Sequence, residues 1–160
     1  MPRRKTVDLK RNIPADYKYG SVLVQKLINV VMERGKKNTA RSVVYGALIE
    51  VASKIKGDEK IAIDLFNKAY DQIVPQIEVR PRRVGGSVYQ VPVEVNPKRQ
   101  QTLAIRWVLK AARDRKGMPM CNRLALELLE ASNDQGNAFK KKQDVIKMAQ
   151  ANKAFAHLAR

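Results

Sequence analysis

Apolar residues recur along this chain at helical spacing in several separate stretches, and one stretch between them alternates instead. From Ser21 to Arg34 a stripe runs through Leu23, Leu27, Val30 and Val31, which predicts a helix capped by Ser21 and stopped at Gly35. Ala40, Val43, Val44, Ala47, Leu48, Val51, Ala52 and Ile55 predict a second helix, ending before Gly57. Asp58 can cap a third, with Ile61, Leu65, Phe66, Ala69, Tyr70 and Ile73 on its inner face and Pro75 as its stop. The period returns after Pro97 with Leu103, Ala104, Trp107, Val108 and Ala111, until Gly117 and Pro119 break it. A fifth helix carries Leu124, Ala125, Leu128 and Leu129, and residues 133–137 are polar enough for a loop. The last segment, from Ala138, is alanine-rich and weakly amphipathic, which predicts a partly helical piece docked from outside.

The exception lies between the third and fourth helices. Gly85-Gly86 is a two-residue hairpin signal, because the favoured turn needs positive φ at both central positions. Folding about that pair sets Val84 opposite Ser87, Arg82 opposite Tyr89 and Arg80 opposite Val91. Those pairs are the hydrogen-bonded ones, so Pro81 and Pro92 fall where a missing N–H costs no ladder bond. The expected fold is mainly α: a single domain of about six helices with a protruding two-stranded β-hairpin arm, at about residues 77–95, between helices three and four. Residues 1–19 read as a basic N-terminal tail and 20–160 as the helical domain.

Composition gives the arm a purpose. The 160 residues carry 32 Lys+Arg against 15 Asp+Glu, a net charge of +17. That surplus repels itself in the free protein and favours a polyanion as partner. The apolar fraction of 44% is too high for a disordered basic tail. Residues 80–116 alone hold ten Lys/Arg against Glu94 and Asp114. Arg99, Arg106, Lys110 and Arg113 are spaced so that, at ~100° per residue, they fall within ~60° of one another, away from the apolar stripe. Together with Arg80, Arg82 and Arg83 on the arm, and Lys98 and Lys116 at the ends of the helix, they predict a phosphate-binding surface. Arg3, Arg4, Lys5 and Lys10 in the tail, the Lys36-Lys37 turn and the Lys140-Lys141-Lys142 run are further candidates for RNA contacts. Tyr89, on the ribbon opposite Arg82, either stacks on a base or packs on a partner protein. Trp107 sits on the inner helix face and reads as core.

Catalytic chemistry finds no foothold. His157 is the only histidine and Cys121 the only cysteine, so neither a histidine-based triad nor a His/Cys zinc site can be assembled. No GxxxxGK[ST] or GxGxxG sequence occurs, and Gly85-Gly86 precedes a strand rather than a helix. Asp64 and Asp71 lack companion ligands. The expectation is no enzyme, no cofactor and no metal. A lone cysteine makes no intramolecular disulfide, no apolar run approaches the ~18 residues of a membrane span, and Met1 to Lys10 has no signal-peptide core. A cytoplasmic protein with no membrane partner is the expectation.

Three passages carry a resemblance. Arg82-Arg83-Val84-Gly85-Gly86-Ser87-Val88-Tyr89-Gln90-Val91-Pro92-Val93-Glu94-Val95 resembles the arm of the family of small-subunit ribosomal protein seven, in its bacterial form. Leu103-Ala104-Ile105-Arg106-Trp107-Val108-Leu109-Lys110-Ala111-Ala112-Arg113 is similar to that family's next helix, and Met148-Ala149-Gln150-Ala151-Asn152-Lys153-Ala154-Phe155-Ala156-His157 to its C-terminal signature. The resemblance implies a structural protein of the small ribosomal subunit. It implies primary binding to the 3′ major (head) domain of small-subunit rRNA, nucleation of head assembly, and an arm near the exit-site tRNA at the subunit interface. It implies small-subunit ribosomal proteins nine and eleven as neighbours and, for some members, binding to the mRNA of their own operon. The chain ends soon after the signature, which puts functions of a longer C-terminal extension in doubt. The absence of a transit peptide favours a bacterial or plastid-encoded origin. The alternative from composition alone is a DNA-bending architectural protein, since those also use basic β-arms with proline near the tip. An RNA-modifying enzyme would need a cofactor loop or an acid–base set that the chain lacks.

Overall fold

The computed structural model describes residues 12–159. Six α-helices, α1 (Val22–Val31), α2 (Lys37–Ile55), α3 (Glu59–Ile73), α4 (Pro97–Asp114), α5 (Met120–Ser132) and α6 (Gly136–Ala151), and a 3₁₀ segment (Lys153–Ala159) surround one core. Strands β1 (Ile77–Val84) and β2 (Ser87–Glu94) form an antiparallel hairpin between α3 and α4. Helix α5 is central and packs against α2, α3, α4 and α6. Its Leu124, Ala125, Leu128 and Ala131 are fully buried beside Val44, Ala47 and Leu48 of α2, Phe66 and Ala69 of α3 and Ala104 and Ala112 of α4. Trp107 packs half-buried against the same core, as its helix face predicts.

The first and third stripes are phased differently from expectation. Val24, Leu27 and Ile28 are the buried apolar residues of α1, and Val30 is exposed. Apolar residues lie nearly all round that helix, so periodicity cannot choose a face, and contact with α2 and α4 does. In α3 the inner face is Ala62, Phe66, Ala69 and Ile73, and Ile61 stands in solvent. Ser21 caps α1, its hydroxyl accepting from the Val24 N–H at 3.4 Å. Asn96 caps α4 in the same way, with Pro97 at the first helical position.

Residues 12–19, read from the sequence as tail, pack on the body. Asp16 is buried; its carboxylate accepts from the backbone N–H of Lys18 and Tyr19 and from the Tyr45 hydroxyl at 2.7 Å. Burial, reinforced by that bond, pushes the Tyr45 hydroxyl well above its ordinary pKa. Tyr17 and Tyr19 meet the Tyr45 ring edge-on, and Arg41 lies 5.2 Å from the Tyr17 ring centre. Basic composition suggested looseness there, but three tyrosines and a turn-forming aspartate supply the contacts that hold it.

The hairpin has the expected register, with Val84 opposite Ser87, Arg82 opposite Tyr89 and Arg80 opposite Val91. Gly85 and Gly86 have φ of +56° and +88°, the pair of values that turn requires. Only the tip stands free. At the root Val91, Val95 and Glu78 are buried, β1 packs on α6, and β2 packs on the 3₁₀ segment. Tyr89 lies against Phe155, ring centres 5.0 Å apart. The C-terminal piece is thus helical throughout and divides its contacts: α6 packs on α4, α5 and β1, with Ala138 in the main core, and the 3₁₀ segment docks on β2 of the arm.

Candidate nucleic-acid interface

Helix α4 presents two faces because its apolar and basic residues are out of phase. Leu103, Ala104, Val108, Ala111 and Ala112 turn inward, while Lys98, Arg99, Arg106, Lys110 and Arg113 are exposed. Arg106 and Lys110, at the middle of that face, have no hydrogen bond or ion pair with any described residue. Lys116, just beyond the helix, is also exposed.

Neighbouring elements extend this face at both ends. Toward its start, Lys98, Gln101 and Thr102 share a groove with Ile13 and with Lys26 of α1, whose Nζ bonds the Gln101 side chain. Toward its end, Arg113 shares a groove with Glu33 and Lys36 and donates to Glu33. Lys36 and Lys37 are exposed where α2 begins, and Lys36 lies in the groove beside Arg113 of α4. The arm joins at its root. Glu78 of β1 accepts from Nε of Arg99 at 2.8 and 3.0 Å and from Nε of Arg80. Burial alone would raise the Glu78 pKa, but the hydrogen bonds from Arg99 and Arg80 outweigh it and hold the carboxyl below its ordinary value. Arg82 and Arg83 are exposed farther along β1.

Not every predicted contact lies on this surface. Lys142 is half-buried; its Nζ donates to the Gln72 carbonyl at 2.6 Å, and burial pulls its pKa down. It ties α6 to the last turn of α3 and satisfies a carbonyl that the helix leaves open. Lys140 and Lys141 remain exposed on α6. Tyr89 is engaged by Phe155 of its own chain, a third possibility beside a base or a partner protein. Arg3, Arg4, Lys5 and Lys10 lie outside the described residues.

Sequence reasoning passed over Glu78 and Lys26. Glu78 stood in plain view, two residues before Arg80 and therefore on the same face of the strand. Lys26 carried no signal, because only packing brings α1 beside α4. Among the described residues no group of His, Cys, Asp and Glu could hold a metal ion, and no helix is long and apolar enough to cross a membrane. The arrangement offers exposed arginine and lysine donors along one helix, extended at each end by a groove that adds Lys26 or Lys36. That suits the repeated phosphates of a nucleic-acid backbone.

The family model described as ribosomal protein S7p/S5e matches residues 2–153. Small ribosomal subunit protein uS7 of Dictyoglomus thermophilum is 55% identical over 157 residues, covering 98% of this chain and 98% of its own length. Its counterpart in Chloroflexus aurantiacus is 52% identical over 160 residues, covering 100% and 99%. The uS7 of Campylobacter jejuni is 53% identical over 155 residues, covering 97% of each.

Proposed function

We propose, from the premise that the chain belongs to the ribosomal protein S7p/S5e family, that it binds the 3′ major domain of small-subunit rRNA directly and nucleates assembly of the head. The family is one of structural proteins of the small ribosomal subunit, not of enzymes, and small-subunit rRNA is the partner that family implies. The observation that carries the finer reading is the exposed face of α4, linked to the arm through Glu78. A helix with one basic face and a ribbon rooted beside it can follow a folded RNA backbone while the tip reaches elsewhere. We assign the α4 face, the Lys36-Lys37 turn, the arm root and the tail residues Arg3, Arg4, Lys5 and Lys10 to RNA. The tip reaches toward the exit-site tRNA, with ribosomal proteins nine and eleven as neighbours. Binding to the mRNA of its own operon would use the same surface.

Affinity for an rRNA head-domain transcript should fall steeply with salt. Six to ten phosphate contacts give a slope of log K against log[salt] of roughly −4 to −9. Structured RNA should outcompete duplex DNA of the same length at matched salt. Equal competition by DNA would overturn the reading in favour of a DNA-bending protein.

The tip should be separable from RNA binding. Replacing Arg83–Val88 by Gly-Gly leaves Arg82 opposite Tyr89 to flank a new two-residue turn and leaves the Tyr89–Phe155 contact in place. The shortened protein should melt as the parent does and bind the transcript within about threefold, since Arg83 is the only charge lost. Subunits assembled with it should retain exit-site tRNA poorly. Loss of RNA binding would show instead that the tip is a primary RNA contact.

A further inference from the structure

We infer that Arg80 of the arm and Arg99 of α4 form a single clamp for one RNA phosphodiester, with Glu78 as the residue that positions both guanidinium groups. The inference rests on the rRNA-binding reading above and names a site within it.

A carboxylate beneath two arginines is at first sight a competitor for the RNA. Its geometry argues otherwise. Glu78 is buried, its side chain only 9% exposed, while the side chains of Arg80 and Arg99 are 47% and 49% exposed. Each arginine reaches Glu78 through Nε, and among the described residues neither uses its terminal nitrogens. A guanidinium carries five N–H donors, of which Nε supplies one. The remaining donors of each fork are therefore left for something outside, and Glu78 fixes both forks from below.

Spacing and charge fit one phosphate. Nε of both arginines bonds the same Oε1, so the two nitrogens lie within two hydrogen-bond lengths, about 6 Å, of one another. Two guanidinium groups whose Nε atoms lie that close can turn their terminal nitrogens to the non-bridging oxygens of one phosphate. Two guanidinium charges less one carboxylate leave a single positive charge, which matches the single negative charge of a backbone phosphodiester. The arginines come from different elements, β1 and α4, so a phosphate held between them would also fix the angle at which the arm leaves the body.

The sign of one substitution tests this. Glu78→Gln removes a negative charge from a basic surface. If the arginines acted only through net charge, the variant would bind an rRNA head-domain transcript more tightly. The clamp predicts the reverse: roughly tenfold weaker binding, with the salt slope reduced by about one phosphate contact, ~0.7–0.9. Arg80→Lys and Arg99→Lys keep the charge but lose the fork, and each should weaken binding roughly fivefold. The double variant should be less impaired than the product of the single effects, because either change already opens the clamp. This pair decides the question should Glu78→Gln fail to fold. Tighter binding by a folded Glu78→Gln variant, or strictly multiplicative lysine effects, would overturn the clamp and leave rRNA binding intact. Absence of salt-dependent RNA binding by the parent protein would overturn both.

Discussion

Replacing Arg115 by alanine should cost about 3–5 kcal/mol of folding stability, the largest effect expected of any basic residue in the chain. Arg115 follows α4 and turns inward. Its guanidinium bonds the Glu127 carboxylate at 2.6 and 3.0 Å and reaches Glu130 as well. Glu127 is wholly buried in α5, and its other oxygen accepts the Ala138 N–H at 2.7 Å, near the start of α6. The same corner holds Gly136 at φ +89°, where a Cβ would stand 3.0 Å from Glu127 Oε1. One buried acid thus joins the end of α4 to the entry of α6. Without Arg115 it would be left charged and unpaired in the core, which is the costly case; loss of a surface pair would cost under about 1 kcal/mol. In a domain of this size the melting temperature should drop by roughly 10 °C. RNA affinity of the folded fraction should stay near that of the parent protein. A melting change of a degree or two would show that Glu127 is satisfied without Arg115.

Reversing Arg106 and Lys110 to glutamate should have the opposite profile: normal folding and at least about a hundredfold weaker RNA binding, because each change removes a phosphate contact and adds a repulsion. These two are preferable to Arg99 and Arg113, which hold Glu78 and Glu33. Arg106 and Lys110 touch no described acid, so circular dichroism and thermal melting should not change. The check is a titration of the head-domain transcript with parent and variant protein at matched salt. Undiminished affinity would show that α4 faces something other than RNA.

The arm was legible from its letters because its constraints are local. Gly85-Gly86 dictates the turn, the turn dictates the register, and Pro81 and Pro92 agree with it. The second helix was legible for a similar reason: its buried residues, Ala40, Val44, Ala47, Leu48, Val51 and Ala52, all lie on the expected stripe, though Ile55 at its end is exposed. The phase of α1 was not, since a helix apolar nearly all round takes its inner face from whatever packs on it. Charge was legible as a sum and not as an allocation. Arg99, Arg106, Lys110 and Arg113 read alike in sequence as one basic face, and Arg115 carries no signal beyond its charge. Yet Arg99 and Arg113 are paired, Arg106 and Lys110 are open, and Arg115 turns inward to the buried Glu127. Those differences depend on Glu127, Glu78 and Glu33, which chain separation hides and only the tertiary contacts disclose. Lys142 illustrates the same limit, being one of three consecutive lysines and the one that turns to Gln72.

The α4 face and the arm root should bind head-domain rRNA without help from other proteins. Hydroxyl-radical footprinting of full-length small-subunit rRNA, with this protein alone, is the decisive experiment. Protection should concentrate in the 3′ major domain, appear at low protein concentration and be lost for the Arg106→Glu, Lys110→Glu double variant. Protection in another domain, or none until further ribosomal proteins are added, would contradict it.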